Sequence, residues 1–230
     1  MRRQILTVVI VPLAIVLAAC GGDKQPSSGA TGTAAADRAK AEKLILVQAD
    51  FPAGWAGTTA APDTPEDDAR AADLAECAGA VDPAVAESAT VTGKDFAKDT
   101  AEVASEVTYV KTTEQAQTDL AAITGPKVEG CVERFAGDLL QKEIEGSGAR
   151  LDRFAFDRIK TQKIGDATEA FRMTATVTAG GQTLTIYVDL IFILKGRAEI
   201  SLAFSELGKP FNGTLQKSLL AKMGTKLAAV

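Results

Sequence analysis

Between Phe171 and Phe204 the chain alternates apolar and polar residues with a period of two, and that pattern constrains its fold more than any other feature. Phe171, Met173, Ala175 and Val177 alternate with Arg172, Thr174, Thr176 and Thr178. Gly180-Gly181 supplies a hairpin turn, after which Leu184, Ile186, Val188, Leu190, Phe192 and Leu194 share one face. Lys195-Gly196 turns into a third run with Ala198, Ile200, Leu202 and Phe204 inward. Upstream, Phe154 and Phe156 share a face of a short strand, which makes four antiparallel strands in a meander. Ile191 and Ile193 are apolar on the opposite side of the middle strand, so that end is expected to be covered on both faces.

Elsewhere the period changes to that of helices. Residues 37–47 read as a first helix with Leu44, Ile45 and Val47 at its apolar edge, closed by Pro52 and Gly54 in Asp50-Phe51-Pro52-Ala53-Gly54-Trp55. Thr64 as N-cap, Pro65 at the first helical position and acids at 66–68 open a second helix carrying Leu74 and Cys77. Val103, Val107 and Tyr109 mark one strand. Thr112-Thr113-Glu114-Gln115 resembles a capping box opening a helix to about Ile123. The next helix holds Val128, Cys131, Val132, Phe135 and Leu139 at spacings of three and four. Asn212 caps a last helix with Leu215, Leu219, Leu220, Met223 and Leu227 inward and Lys217, Lys222 and Lys226 suited to its C-terminal half. The expected fold is therefore a single α+β domain, an antiparallel β-sheet ending in a C-terminal meander and packed with helices.

The N-terminus reads as a targeting segment. Met1-Arg2-Arg3 is a positive start and residues 5–19 are a mostly apolar run, too short for a membrane span of about 20 residues. Leu17-Ala18-Ala19-Cys20, followed by Gly21-Gly22, looks like a bacterial lipobox. The expectation is a signal peptide over 1–19, diacylglycerol on Cys20, a flexible Gly/Ser/Thr/Ala tether over 20–36 and a folded domain over 37–230. The plainer alternative is an ordinary signal peptide or uncleaved anchor that happens to contain a cysteine. Arg2-Arg3 also loosely matches a twin-arginine signal, which leaves the export route open. The implied location is the extracytoplasmic face of the cell membrane, with the membrane as partner through the lipid.

Of three cysteines, lipidation of Cys20 leaves Cys77 and Cys131. In an exported protein one disulfide between them is expected, rather than two buried thiols. On a chain-entropy model its closed loop of about 55 residues stabilises the fold by about 4 kcal/mol. Because Cys131 lies on a buried helical stripe, the bond would staple two helices.

The chemistry is bounded by exclusions. The chain has no histidine, so Ser-His-Asp, Cys-His and His-ligated zinc chemistry have no base or ligand. SxxK, GxSxG, P-loop and CxxC patterns fail on spacing. With 25 cations against 30 anions the net charge is −5, and losing the two arginines of residues 1–19 makes it −7. Phosphate backbones would repel such a chain, so no nucleic acid is expected as partner. Carboxylates alone suffice for glycosidases. Glu66, Asp67 and Asp68 are explained by a helix start, while Glu143 and Glu145 fall in a Gly-rich loop. Asp189, a charge in the most apolar strand, is either solvent-facing or paired with Arg172 or Arg197, with a catalytic role as the alternative. Asn212-Gly213-Thr214 matches a glycosylation sequon but reads better as a cap. Trp55 reads as core, with ligand stacking as the alternative.

The lipobox, the tether, DFPAGW after a first helix, the two spaced cysteines and the KGRAEI turn together resemble actinobacterial surface lipoproteins. These are similar to PknH-like extracellular sensor domains, which tend to carry two disulfides where this chain can form one. The resemblance would cover about residues 37–230 and implies a sensor or binder with a cleft beside the sheet and no catalytic residues. The expectation is a lipid-anchored, non-catalytic ligand-binding or sensor-like domain for an unidentified small molecule, lipid or protein, with no catalytic residue, cofactor or metal assigned. The alternatives are a carboxylate-dependent cell-envelope hydrolase and a structural or protein-docking lipoprotein.

Overall fold

A computed structural model describes residues 32–230 apart from 63, 81–82 and 145. The signal peptide, Cys20, most of the tether and Glu145 lie outside the described residues. In chain order, leaving aside the short helical turns Gln48–Asp50 and Pro83–Ala86, the elements are α1 (Gly32–Leu44), β1 (Ala56–Thr59), α2 (Pro65–Ala78), β2 (Glu87–Thr92), β3 (Lys94–Lys98) and β4 (Ala101–Val110). Then follow α3 (Thr113–Thr124), α4 (Val128–Ile144), β5 (Ala149–Arg158), β6 (Ala167–Ala179), β7 (Gln182–Lys195), β8 (Ala198–Leu207) and α5 (Gly213–Leu227). All strand pairs are antiparallel, in the order β1-β3-β4-β8-β7-β6-β5, with β2 also on β4. The fold is α+β, and β5 to β8 form the four-stranded meander.

Several boundaries differ from expectation. Helix α1 begins at Gly32, inside the stretch read as tether, and ends at Leu44. Three strands had no signal: β1, β2 and β3 are short and lack sustained alternation. Gly93 separates β2 from β3 because only hydrogen fits there. A Cβ on Gly93 would lie 2.5 Å from Ser105 Oγ and 2.9 Å from its carbonyl oxygen. The Gly93 N–H donates to that carbonyl at 2.7 Å. Glu143 belongs to the last turn of α4 rather than to a loop.

The core is double. The β7–β8 register sets Leu190 opposite Ala203 and Asp189 opposite Phe204, so the inward residues of the two strands point to opposite faces. Ile200, Leu202 and Phe204 join Val103, Val107, Ile191 and Ile193 beneath α1 and α5, with Leu44, Leu219, Leu220 and Met223. Phe171, Met173, Val188 and Leu190 instead pack on Val132, Ala136, Leu139 and Leu140 of α4. Burying apolar side chains on both faces drives assembly at roughly 25 cal/mol per Å². Trp55 is core, against Phe51 and Phe211. Cys77 and Cys131 are bonded, with Cα atoms 5.9 Å apart, which fastens α2 to α4.

Candidate functional site

Helix α3 is placed by a local cap. The Thr112 hydroxyl accepts the Gln115 N–H at 3.1 Å. The reciprocal half of a capping box is missing, because the Gln115 amide turns forward one helical turn to donate to both oxygens of Asp119, at 2.8 and 2.9 Å. Ala116 packs with Val110 and Leu194, and partly buried Leu120 joins them, which seats α3 over the end of the sheet. Asp119 thereby reaches β8.

There it meets Glu199. In register Glu199 lies between Thr108 of β4 and Leu194 of β7. Burial first, then the Asp119 carboxyl beside it, then Glu87 of β2, push the Glu199 carboxyl up to about 8. Asp119 is close enough to share a hydrogen bond with it. With that acid beside it the Glu199 carboxyl keeps its proton, since ionising it would place like charges together away from water. Oxygen Oε1 of Glu199 is buried with no hydrogen-bond partner among the described residues.

Hydroxyl and carboxyl groups continue along the same face. Thr90 Oγ1 donates to Glu87 Oε2 at 3.0 Å and meets Thr108 Oγ1 at 3.1 Å. Thr92 Oγ1 donates to Glu106 Oε2 at 3.0 Å, and Glu106 pairs in register with Ser201. Further along, burial raises Asp95, and burial together with Asp95 raises Glu102. The result is a strip of side chains on β2, β3, β4 and β8 that can donate and accept hydrogen bonds and hold a proton. Among the described residues no group of three or more acids, cysteines or histidines is arranged to hold a metal ion.

Two acids singled out by their surroundings have plain partners. Asp189, 1% exposed, receives Arg172 Nε at 2.6 Å and Nη2 at 2.8 Å, and Gln216 of α5 at 3.0 Å. Asp37 on α1, also 1% exposed, takes Arg197 at 2.6 and 2.9 Å and the Ser88 hydroxyl at 2.8 Å. Burial pushes Asp37 up, but the Arg197 and Ser88 hydrogen bonds outweigh it and hold the carboxyl below its ordinary value. Glu66, Asp67 and Asp68 occupy the first turn of α2, where Thr64 and Asp67 form a full capping box. Asn212 Oδ1 accepts the Thr214 and Leu215 N–H groups, so the sequon residue is a cap.

The residues of the proton-holding strip were missed in the sequence. Glu199, Ser201 and Ser205 alternate with inward Ile200, Leu202 and Phe204, so they read as solvent-side positions. Glu87 lies on a strand that had no signal, and Asp119 on a helix whose docking partner was unknown. A useful signal was available: three polar residues on the strand that follows the most apolar one, opposite a face that needed cover.

Neither protein-family models nor curated proteins match the sequence. Among solved structures, the extracellular domain of PknH from Mycobacterium tuberculosis is similar at 9% identity and a TM-score of 0.44, covering 84% of this chain and 97% of that one. LpqN from the same organism, involved in cell envelope biogenesis, is similar at 9% identity and a TM-score of 0.27, covering 81% and 79%. Likenesses this distant carry no argument about function. No helix among the described residues is long and apolar enough to cross a membrane.

Proposed function

We propose that the chain is a lipid-anchored, extracytoplasmic, non-catalytic binding domain, held to the membrane through Cys20, whose ligand is a polar molecule engaged on the strip around Glu199. The observation that carries the reading is the Asp119–Glu199 pair: a protonated carboxyl at neutral pH is a hydrogen-bond donor beside an acceptor. Neighbouring Thr90, Thr108 and Ser201 hydroxyls add groups of both kinds. Such a surface suits a ligand rich in hydroxyl or amide groups. The hydrolase alternative is less well supported at this pair. Glycosidases separate their carboxyls by about 5–9.5 Å across the substrate, whereas Asp119 and Glu199 are direct neighbours with no room for a sugar between them. The lipobox supports the anchor and the outside location, and the Cys77–Cys131 bond agrees with an oxidising compartment.

Native mass spectrometry of the full chain extracted from its membrane in mild detergent tests both parts. The expected spectrum shows the mass of a diacylglycerol on the protein, absent from Cys20→Ala, and a noncovalent adduct absent from Glu199→Gln. A chain without lipid contradicts the anchor. A chain without any adduct, or one whose adduct survives Glu199→Gln unchanged, contradicts the site.

A further inference from the structure

The last strand of the sheet, β5, is an edge: β6 pairs with one side of it and, among the described residues, no strand pairs with the other. Its sequence around Ala155 is Leu151-Asp152-Arg153-Phe154-Ala155-Phe156-Asp157-Arg158-Ile159. Reversed about Ala155, it matches itself in chemistry. Arginine falls opposite aspartate, phenylalanine opposite phenylalanine and leucine opposite isoleucine. We propose that β5 is the contact through which a second copy of this chain binds, antiparallel and two-fold about Ala155, joining the two sheets into one.

Backbone geometry permits that register. The Ile159 N–H donates to the Ala170 carbonyl at 2.9 Å. By the alternation of an antiparallel ladder, Ala155 and Asp157 also turn their amides toward β6, while Phe154, Phe156 and Arg158 turn theirs to the free edge. Two copies crossing at Ala155 would therefore exchange hydrogen bonds between Phe154 of one and Phe156 of the other. The Ala155 pair and the two Arg153–Asp157 pairs would be non-hydrogen-bonded, the positions where side chains come closest. Both phenylalanines lie on the α4 side, where Phe156 is buried and Phe154 is partly so.

The charges at the centre are uncommitted within the chain. Arg153 and Asp157 are exposed, and neither has a hydrogen bond or ion pair among the described residues. Their outer neighbours differ: Asp152 holds Arg150 at 2.6 Å and Arg158 holds Glu169 at 3.3 Å. Asp152 also sits at an irregularity in the β5–β6 register. The self-complementary contact thus rests on residues 153–157. Scattered charges on an edge ordinarily discourage pairing with other strands; here their order sets Arg153 opposite Asp157 twice in the two-fold antiparallel register. Self-complementarity of one patch is what a two-fold dimer requires.

Sedimentation of the full chain in detergent and cysteine cross-linking test this together. Wild type is expected to dimerise. Arg153→Asp and Asp157→Arg each set two like-charge pairs in the dimer and are expected to weaken it about tenfold or more. The combined Arg153→Asp/Asp157→Arg chain restores opposite charges and is expected to dimerise like wild type. Ala155→Cys sits on the axis, where facing Cα atoms are about 4.5 Å apart and within reach of a disulfide, so oxidation should give a covalent dimer. Thr176→Cys, one strand inward, should not. A wild-type chain that stays monomeric overturns the proposal. So does a charge swap that fails to restore association, or cross-linking at Thr176 equal to that at Ala155. A far-ultraviolet spectrum unchanged among variants ties any loss to the contact rather than to folding.

Discussion

Asp37 and Glu199 are two withdrawn acids tied to the start of the same strand, and they are treated in opposite ways. Asp37 of α1 meets the Arg197 guanidinium in two hydrogen bonds. Glu199, two residues further on, meets a second acid, Asp119, from α3. Asp37 is accordingly held below its ordinary value and Glu199 above it. The contrast separates two uses of a buried carboxyl. A paired charge fixes the approach of one segment, here α1 on the β7–β8 turn, whereas an acid set against an acid stores a proton at a cost in stability. Chains seldom keep the second arrangement for the fold alone, because desolvated like charges weaken it.

Breaking the first arrangement should have the largest effect. Arg197→Met leaves Asp37 buried without its counter-ion and is expected to cost about 3–5 kcal/mol in urea unfolding at pH 7. A loss below about 1 kcal/mol would place the pair among ordinary surface bridges and remove the contrast. Breaking the staple that fastens α2 to α4 comes next. Cys77→Ser with Cys131→Ser is expected to lower stability by about 4 kcal/mol on the chain-entropy account, with strain and residual structure able only to reduce it.

Glu199→Gln should move stability the other way. A raised acid stays protonated in the folded chain while the unfolded chain ionises, so folding loses stability as pH climbs from about 4.5 to about 8 and levels off above. The glutamine variant removes that loss and is expected to be about 2–4 kcal/mol more stable than wild type at pH 8.5, and little changed at pH 4. Asp37 gives the mirror-image signature. Its stabilisation is present above the unfolded value of 3.8 and fades as pH falls through its lower folded value. Chemical unfolding from pH 3 to 9 with Asp37→Asn and Glu199→Gln separates the two limbs. The smallest effect belongs to Thr112→Ala, which removes the cap of α3 and should cost about 1 kcal/mol. Because α3 carries Asp119, it should also bring Glu199 nearer its ordinary value, readable as a shift of the upper limb to lower pH.

What could be read in the residues follows from how local each signal is. The meander, the α4 stripe and the caps at Thr64 and Asn212 rest on spacing within one element, and the structure has all of them. Asp189 was legible as solvent-facing or paired with Arg172 or Arg197, and strand pairing across Gly180-Gly181 decides for Arg172 by setting the two opposite each other. The double core was not legible, because the β7–β8 register decides which face of β8 joins which face of β7. Glu199 was hidden for the same reason: its burial depends on α3 docking over Leu194 and on β2, a strand too short to announce itself. Gly93 kept β2 and β3 from reading as one run. The charges of β5 were visible in the sequence, but their symmetry acquires meaning only once β5 is known to be an edge.

The proton on the Asp119–Glu199 pair is the central claim, and it can be measured directly. Carbon-13 labelling of glutamate carboxyls, with Glu199 assigned through Glu199→Gln, gives its titration in the folded full chain. The account predicts a midpoint near 8. A midpoint in the ordinary glutamate range, near 4.5, would contradict it.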